Sequence, residues 1–339
     1  MEPISSEIQH FDYRLRSECI AQHPAKPRDS AKLLDARDLR APRDRVMADL
    51  PTLLSAGDVL VVNNTRVRRA RLRLHKETGG AAEVLLVAPT GDPSVWTALV
   101  KPGRRLPPGT VLYDNGDPLI EVVGVRQTGD RLVRVLDRDR SDHVGVLPLP
   151  PYIRVEPEDP DRYQTVYAER PGSVAAPTAG LHFTPDLLQR CQNAGATIVA
   201  VDLEVGLGTF APVTADRLDD HVMHTETYTV SESAWSQIGA ARRVVAVGTT
   251  VVRTLETVAK TGQLAGATDI FIRPGFDWQV VDTVLTNFHM PRSTLLVLVE
   301  ALIGDGWRSL YSDALNRGYR VGSFGDAMLL KRTPSTGVG

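Results

Sequence analysis

From about residue 164 to residue 303, apolar runs of strand length alternate with segments of helical periodicity. The pattern predicts strands at 164–168, 197–203, 244–247, 270–272 and 280–285, and helices from 185, around 231–241, from 249 and over 293–303. Such alternation is typical of an α/β domain with largely parallel strands. An earlier run, DVLVVN at 58–63, has the continuous apolar pattern of a strand that is buried on both faces. Ligands in these domains bind at the carboxyl ends of the strands, so a site is expected there.

The sharpest local signal is the start of the helix at residue 185. Thr184 can accept a hydrogen bond as the N-cap, Pro185 suits the first helical position, and Asp186 favours the positive end of the helix dipole. The preceding loop, VAAPTAGLHFT at 174–184, combines small residues with Gly180 and His182. Backbone amides at a helix start bind anions and glycine lets a ligand approach closely, so the loop is predicted to hold substrate. The alternative is a tight crossover loop with one satisfied histidine.

Small and polar residues also follow three other predicted strands. They are Glu204, Gly206, Gly208, Thr209 and Phe210 after the first, Thr249 and Thr250 after the second, and Asn287 and His289 after the third. Gly206 and Gly208 are not followed by the third glycine of a dinucleotide-binding fingerprint, so a dinucleotide-binding motif is rejected here. The threonines are predicted to begin a helix whose free amides face a ligand. Arg253 and Glu256, three residues apart, form either a surface pair or part of the site.

Two further polar groups allow more than one interpretation. His221, His224 and Glu226 are of the residue types that bind zinc, but their spacing does not match the helical His-x-x-x-His motif. A polar strand or a contact to an organic substrate is favoured over a metal site. Arg28-Asp29-Ser30 either holds a ligand or closes its loop.

Residues 64–151 differ in character, because short strand-length runs are separated there by glycine and proline. This pattern predicts a small all-β unit of barrel or sandwich type, inserted into the larger domain. Between Arg66 and Arg105 there are nine basic residues and three acidic ones. Arg69, Arg71 and Arg73 alternate with apolar residues, which places them on one face of a strand. That face is either solvated or a docking surface for a polyanion, and the second interpretation is favoured.

Composition excludes several classes of protein. With 339 residues, 42% hydrophobic and 24% charged, the chain is expected to be a soluble globular protein of two domains. The polar beginning lacks the pattern of a signal peptide, and the apolar run 295–303 is too short to span a bilayer. Two cysteines, Cys19 and Cys191, provide no disulfide framework and no CxxC motif. A cytoplasmic location without membrane contact is therefore expected.

A series of ordered motifs resembles one known family over nearly the whole chain. They run from residue 20 to residue 330 and include IAQHPAKPRDSAKLL, GDVLVVNNTRV, VAAPTAGLHFT, VGLGTF, DHVMHTETY, VVAVGTTVVRTLE and LTNFHMPRSTLLVLV. These motifs resemble the S-adenosylmethionine:tRNA ribosyltransferase-isomerases of queuosine biosynthesis. The resemblance implies a large barrel-like α/β domain with an inserted small all-β barrel, divided as 1–63 and 152–339 for the large domain and 64–151 for the insertion.

The resemblance also implies the reaction. The ribosyl group of S-adenosylmethionine is transferred to 7-aminomethyl-7-deazaguanine at the wobble position of a tRNA anticodon stem-loop and isomerised to an epoxycyclopentane, and adenine and methionine are released. S-Adenosylmethionine is then a co-substrate, no prosthetic group or metal is needed, and the chain is expected to act as a monomer. The chain departs from the family pattern at Glu204, where many relatives have histidine, and at 319–324, which is less aromatic.

If the chain catalyses this reaction, roles can be assigned to the predicted site residues. His182 is the first candidate for the base that removes a proton next to the sulfonium, and Glu204 is the second; His224 or His289 would protonate the leaving adenine. Residues predicted to bind substrate are Thr178, Gly180, Phe183, Gly206, Gly208, Thr209, Phe210, Thr249, Thr250, Arg253 and Asn287, and those predicted to bind tRNA are Arg66, Arg69, Arg71 and Arg73. Two other functions remain possible, an S-adenosylmethionine-dependent tRNA methyltransferase and a non-catalytic RNA-binding module.

Overall fold

The computed structural model describes residues 6–126, 129–206 and 213–333. The chain forms two compact units. The large unit comprises Met1–Arg66 and Pro150–Gly339, and the small unit comprises Val67–Leu149. The sequence analysis placed the divisions at 63/64 and 151/152. Within the described ranges, no helix is both long and apolar enough to cross a membrane.

The large unit is built on a nine-stranded mixed sheet. Its strands are β1 Lys32–Ala36, β2 Arg43–Val46, β3 Asp58–Asn63, β12 Thr197–Leu203, β13 Glu226–Thr229, β14 Arg243–Val247, β15 Ala265–Thr268, β16 Thr283–Asn287 and β17 Ala327–Lys331, while β4 Thr65–Val67 and β11 Arg170–Ser173 lie outside this sheet. Across the sheet, the nine strands lie in the order β15-β13-β12-β3-β14-β16-β17-β1-β2. The central neighbours β12, β3, β14 and β16 are parallel, as are β17 and β1. The predicted α/β class is confirmed.

Helices cover this sheet. The α-helices of the large unit are α2 Pro185–Asn193, α3 Glu232–Gly239, α4 Thr249–Thr261, α5 Thr294–Ile303 and α6 Trp307–Asn316, and α1 Arg138–Val144 belongs to the small unit. The predicted start of α2 is confirmed, because the Thr184 hydroxyl accepts a hydrogen bond from the Leu187 amide at 3.0 Å. Leu187 and Cys191, one turn apart on α2, are buried in the core beneath the helix. Strand β12 then has the bounds that the sequence predicted.

Helix α4 is the most deeply buried helix element beside the sheet, with ten consecutive residues buried from its first turn onward. Gly248 precedes it with a φ of 89°, a conformation that favours glycine. The Glu256 carboxylate lies inside the protein and accepts hydrogen bonds from the backbone amides of residues 279, 280 and 281 at 2.9–3.1 Å. Glu256 therefore does not form the surface pair with Arg253 that the sequence allowed.

The small unit is a closed antiparallel barrel, as predicted. Its strands are β5 Arg71–Lys76, β6 Ala81–Pro89, β7 Val95–Lys101, β8 Val111–Asp114, β9 Asp117–Val125 and β10 Arg131–Val135, in the order β10-β7-β6-β5-β8-β9. Leu72 and Leu74 of β5 are buried in the barrel interior, whereas Arg73 and His75 point outward. The period-two pattern of this strand thus separates core from surface.

Several predicted strands differ from the structure for a physical reason. Residues 164–168 form turns, 270–272 form no strand, and β16 begins at Thr283 rather than at 280. Backbone groups in these segments bond to side chains instead of to a neighbouring strand: the Ile270 carbonyl accepts from Arg253 Nε at 3.3 Å, and the amides of 279–281 donate to Glu256. The elements that were not predicted are helices α1 and α6 and strands β1, β2, β4, β11, β15 and β17.

Candidate functional site

The carboxyl ends of β3, β12, β14 and β16 meet at one edge of the large sheet. Asn63, the last residue of β3, ties these ends together. Its side-chain amide donates to the Leu203 carbonyl at 3.0 Å, and its oxygen accepts from the Leu203 amide at 3.2 Å. The same nitrogen lies 3.5 Å from the Thr250 hydroxyl at the start of α4. The loops that follow the strands are therefore held in a fixed arrangement around one place.

Two adjoining cavities open at this edge. The central cavity has a volume of about 380 Å³ and is lined by Leu15, Ile20, Pro151, Tyr152, Thr178, Asn287, Phe288, His289, Met290, Pro291, Ser293, Leu295, Gly322 and Ser323. The threonine pocket, of about 20 Å³, is lined by His221, Met223, His224, Glu226, Thr249, Thr250, Arg253, Thr294 and Leu295. Leu295 lines both, so the two cavities are neighbours. Together they collect predicted residues from four separate segments of the chain.

His182 lies at the end of the 3-10 turn Thr178–His182 and is buried. Its Nε2 atom has no hydrogen-bond partner among the described residues. Burial lowers the pKa of His182 to about 4, the charges of Arg320 and Arg162 act in the same direction, and a polar contact with Asn287 opposes them. The imidazole is therefore neutral near pH 7.

Asn287 connects this histidine to the central cavity. It is the last residue of β16, lines the cavity, and donates from its side-chain nitrogen to the Gly322 carbonyl at 3.0 Å. Its side-chain oxygen is buried and, in the described part of the chain, accepts no hydrogen bond. Buried polar atoms are nearly always hydrogen-bonded in native proteins, so these two atoms either bond each other in a slightly different geometry or are bridged by a polar ligand or an ordered water.

His289 also lines the central cavity, but its surroundings differ. Its Nε2 atom lies 3.0 Å from the Thr286 hydroxyl, and burial lowers its pKa to about 3. Its backbone is fixed on both sides, because its carbonyl accepts from the Tyr13 hydroxyl at 2.6 Å and its amide donates to the Tyr311 hydroxyl at 3.1 Å. His289 is thus a rigid, neutral part of the cavity wall.

Arg253 and Glu226 form a buried ion pair beneath the threonine pocket. The other Glu226 oxygen accepts from the Gly206 amide at 2.9 Å, and the guanidinium also donates to the Thr268 carbonyl at 3.3 Å. The carboxylate is therefore engaged by a cation and an amide. This arrangement fixes the loop after β12 to α4, a link that the sequence did not predict.

The two histidines of the DHVMHTE segment lie at the mouth of the same pocket. His224 is exposed, whereas His221 is half-buried with its ring 5.6 Å from that of Phe271. Burial lowers the pKa of His221, and the neighbouring His224 adds to this effect. Across residues 6–126, 129–206 and 213–333 there is no group of three or more side chains suited to hold a metal ion.

Other predicted site residues lie away from the cavities. Glu204 is exposed, and its carboxylate lies next to Gly172. Phe183 is buried in the core with its ring 6.3 Å from that of Tyr167. A Cβ on Gly180 would lie 2.1 Å from the Tyr167 hydroxyl, so internal packing already requires this glycine. Gly208, Thr209 and Phe210 lie outside the described residues.

The structure resolves the role of Arg28 and adds one cavity residue, Tyr152, that was not among the predicted site residues. Arg28 donates to the Leu181 carbonyl at 3.1 Å and the Gln164 carbonyl at 2.9 Å, so it clamps the loop that carries His182. Of the two interpretations of its motif, loop closure is the one seen. Tyr152 lines the central cavity and lies 2.8 Å from the Ser323 hydroxyl, and burial raises its pKa to about 12. Nothing in the sequence around Tyr152 indicates this position.

The arginines predicted to bind tRNA occupy different environments. Arg69 and Arg73 are exposed, and Arg66 is about half exposed with Asp161 at 4.0 Å. Arg71 is partly buried and donates to the Leu149 carbonyl at 3.2 Å, with Glu83 at 3.9 Å. Arg69 precedes β5, so only Arg71 and Arg73 share a strand face.

Comparisons with known proteins agree with the motifs. The family model described as "Queuosine biosynthesis protein" matches residues 8–330. Proteins named S-adenosylmethionine:tRNA ribosyltransferase-isomerase from Desulfitobacterium hafniense and Moorella thermoacetica are 47% and 48% identical, covering 96% and 95% of this chain and 99% of each relative. The crystal structure of S-adenosylmethionine tRNA ribosyltransferase from Thermotoga maritima has 33% identity and a TM-score of 0.55, covering 95% of this chain and 99% of that one. The chain therefore belongs to the queuosine biosynthesis protein family.

Proposed function

We propose that this protein transfers and isomerises the ribosyl group of S-adenosylmethionine onto 7-aminomethyl-7-deazaguanine in tRNA, with release of adenine and methionine. The names of the relatives support the reaction, and the site supports its chemistry. The observation that carries the assignment to this edge of the sheet is the pair of unsatisfied buried atoms, His182 Nε2 and Asn287 Oδ1, beside a cavity of about 380 Å³. A donor molecule with several polar groups would satisfy both atoms.

We assign the first proton transfer to His182. The sulfonium makes the neighbouring ribose hydrogens acidic, and a neutral imidazole can accept one of them. Its lowered pKa keeps the imidazole unprotonated at neutral pH, although it also makes the group a weak base, so the ribose proton must be strongly acidified by the sulfonium. Glu204 is exposed beside Gly172, which makes it the poorer candidate.

Departure of adenine is easier when its ring is protonated. His224 is exposed at the mouth of the threonine pocket, where it can exchange protons with solvent. His289, with a pKa lowered to about 3, is neutral near pH 7 and carries no extra proton to donate. The acid role is therefore assigned to His224, and His289 is assigned to shaping the cavity.

The methionine carboxylate of the donor is assigned to the start of α4. Thr249 and Thr250 line the threonine pocket, and no side chain caps the helix amides at Gly248. Free amides and the helix dipole favour an anion at this position. Arg253 lies in the same pocket but is already neutralised by Glu226, so it supports the loop rather than attracting the carboxylate.

The tRNA is expected to place its wobble nucleotide in the central cavity, since a base in a single-stranded loop can be turned out into a pocket. Arg66, Arg69 and Arg73 would attract the phosphate backbone, whereas the contacts of Arg71 point to a structural role. We expect the enzyme to act as a monomer in the cytoplasm, where its tRNA substrate is found.

Measurement of free adenine tests this function. The purified protein should release adenine and methionine from S-adenosylmethionine only when tRNA carrying 7-aminomethyl-7-deazaguanine is present. Formation of S-adenosylhomocysteine would instead indicate the methyltransferase, which the comparisons do not support. Binding of tRNA without any cleavage of S-adenosylmethionine would indicate an RNA-binding module and would refute the proposal.

A further inference from the structure

A second cavity, of about 500 Å³, lies in the large unit behind the N-terminal segment. It is lined by Tyr13, Arg14, Arg16, Cys19, Trp307, Arg308, Tyr311, Ser312, Leu315 and Asn316, and we call it the arginine cavity. Three of these residues are arginines and none is a carboxylate, so the described lining carries three positive charges in a chain whose net charge is -2. We infer that the arginine cavity binds a backbone phosphate of the tRNA substrate, next to the nucleotide that reacts. This inference rests on the proposed function.

The neighbouring acids do not cancel this charge. Asp12 accepts from the Tyr13 amide and lies 3.8 Å from Arg292, and Asp313 pairs with Arg317 at 2.7 Å. Glu18 lies 3.4 Å from Arg16, but both side chains are more than half exposed, and such pairs are weak. The cavity therefore keeps its attraction for an anion.

The cations of this cavity are partly preorganised. Arg308 lies over the Trp307 ring, with its guanidinium carbon 4.7 Å from the ring centroid, and donates to the His10 carbonyl. Stacking and a backbone hydrogen bond hold a planar guanidinium in place before a ligand arrives, which suits it to phosphate. Arg14 and Arg16 are exposed, so a phosphate can reach them from solvent.

A larger cavity provides a contrast. It has a volume of about 790 Å³ and lies where β14 and β16 begin. Three of its four arginines pair with carboxylates, since Arg37 pairs with Asp35 at 2.7 Å, and Arg242 and Arg243 both pair with Asp58. Size and arginine content alone thus do not make an anion site: the lining of this larger cavity includes Asp35, Asp38 and Asp282, whereas the described lining of the arginine cavity includes no carboxylate.

The position of the arginine cavity selects RNA over a small anion. The extended segment YRLR at 13–16 separates it from the central cavity, with Arg14 and Arg16 on one side and Leu15 on the other. Tyr13 and Tyr311 line the arginine cavity and hold the backbone of His289, which lines the central one. A nucleotide in the central cavity would therefore bring an adjacent phosphate to the arginines, whereas a free anion would gain nothing from this proximity.

The test is the Arg14→Gln/Arg16→Gln variant, compared with Arg40→Gln/Lys260→Gln, which removes the same charge from two exposed positions elsewhere on the large unit. Binding of a tRNA anticodon stem-loop is measured over a range of salt concentrations. We expect the first variant to bind roughly tenfold more weakly and its log–log salt slope to be smaller in magnitude by about 2, with little change in the control. The loss should appear in the KM for tRNA, and an unchanged melting temperature would show that the fold is retained.

Three results would overturn the inference. Equal losses in both variants would mean a general effect of net charge. Unchanged tRNA affinity and salt slope would show that no phosphate binds there, and a raised KM for S-adenosylmethionine alone would assign the arginines to the carboxylate of the donor. Adenine release by the parent protein distinguishes failure of this inference from failure of the proposed function. If the parent releases no adenine with tRNA present, the proposed function fails, whatever tRNA affinities the variants show.

Discussion

His182, the base proposed for the first proton transfer, is the residue on which the proposed chemistry depends most. Its Nε2 atom makes no hydrogen bond of good geometry with a described residue, so replacing the ring costs little in polar contacts. His182→Gln should therefore fold normally and slow adenine release by roughly 10²- to 10⁴-fold, the usual contribution of a general acid or base. Adenine release at saturating tRNA measures the effect, and thermal unfolding checks the fold. His75→Gln, an exposed position in the barrel, is the matched control.

A His182→Gln enzyme that turns over at the parental rate across the pH range would contradict the base assignment. Asn287 would then become the principal polar group of the pair, because it lines the cavity directly. Loss of folding in the variant would show instead that the imidazole has a structural role that its contacts do not reveal.

At the scale of elements, strand β5 and the residue that precedes it carry arginines of different exposure: Arg71 is partly buried, whereas Arg69 and Arg73 are exposed. Arg69→Gln/Arg73→Gln should weaken tRNA binding and lower its salt slope by about 2, because two exposed charges that can contact phosphate are removed. Arg71→Gln should instead lower the melting temperature, since Arg71 donates to the Leu149 carbonyl. If Arg71→Gln alters the salt slope and the double variant does not, the two roles are reversed.

The helices and strands also show how much of the fold could be predicted from the sequence. The start of α2 depends on three adjacent residues, Thr184, Pro185 and Asp186, and the small unit follows from short alternating runs; both predictions are confirmed. The strand expected at 270–272 does not form and the one expected at 280–285 begins only at Thr283, because Arg253 and Glu256 of α4 bond to backbone groups there. Such bonds join residues far apart in the chain and leave no local pattern. The loop clamp by Arg28 was likewise an open choice until its distant partners were placed.

The whole molecule carries a pH dependence that arises from its buried histidines. Burial lowers the pKa of His182 to about 4 and that of His289 to about 3, below the ordinary value of 6.5. Below pH 6.5 the unfolded chain therefore binds protons that the folded chain does not. The stability that the protein keeps by holding these two imidazoles neutral is complete above pH 6.5 and is lost as the pH falls toward their lowered pKa values. Each histidine should remove about 2 kcal/mol between pH 7 and pH 5.

Urea unfolding at pH 7 and pH 5 measures this loss. The parent should lose about 4 kcal/mol through the two histidines over this interval, and His182→Gln/His289→Gln should lose correspondingly less, because glutamine does not titrate. The half-buried His221, whose pKa is also lowered, remains in both proteins and so does not affect the comparison. Most carboxylates titrate below pH 5, which leaves this window to the histidines. Equal losses in parent and double variant would mean that the two imidazoles take up protons in the folded protein as they do in the unfolded chain, so burial would not lower their pKa values.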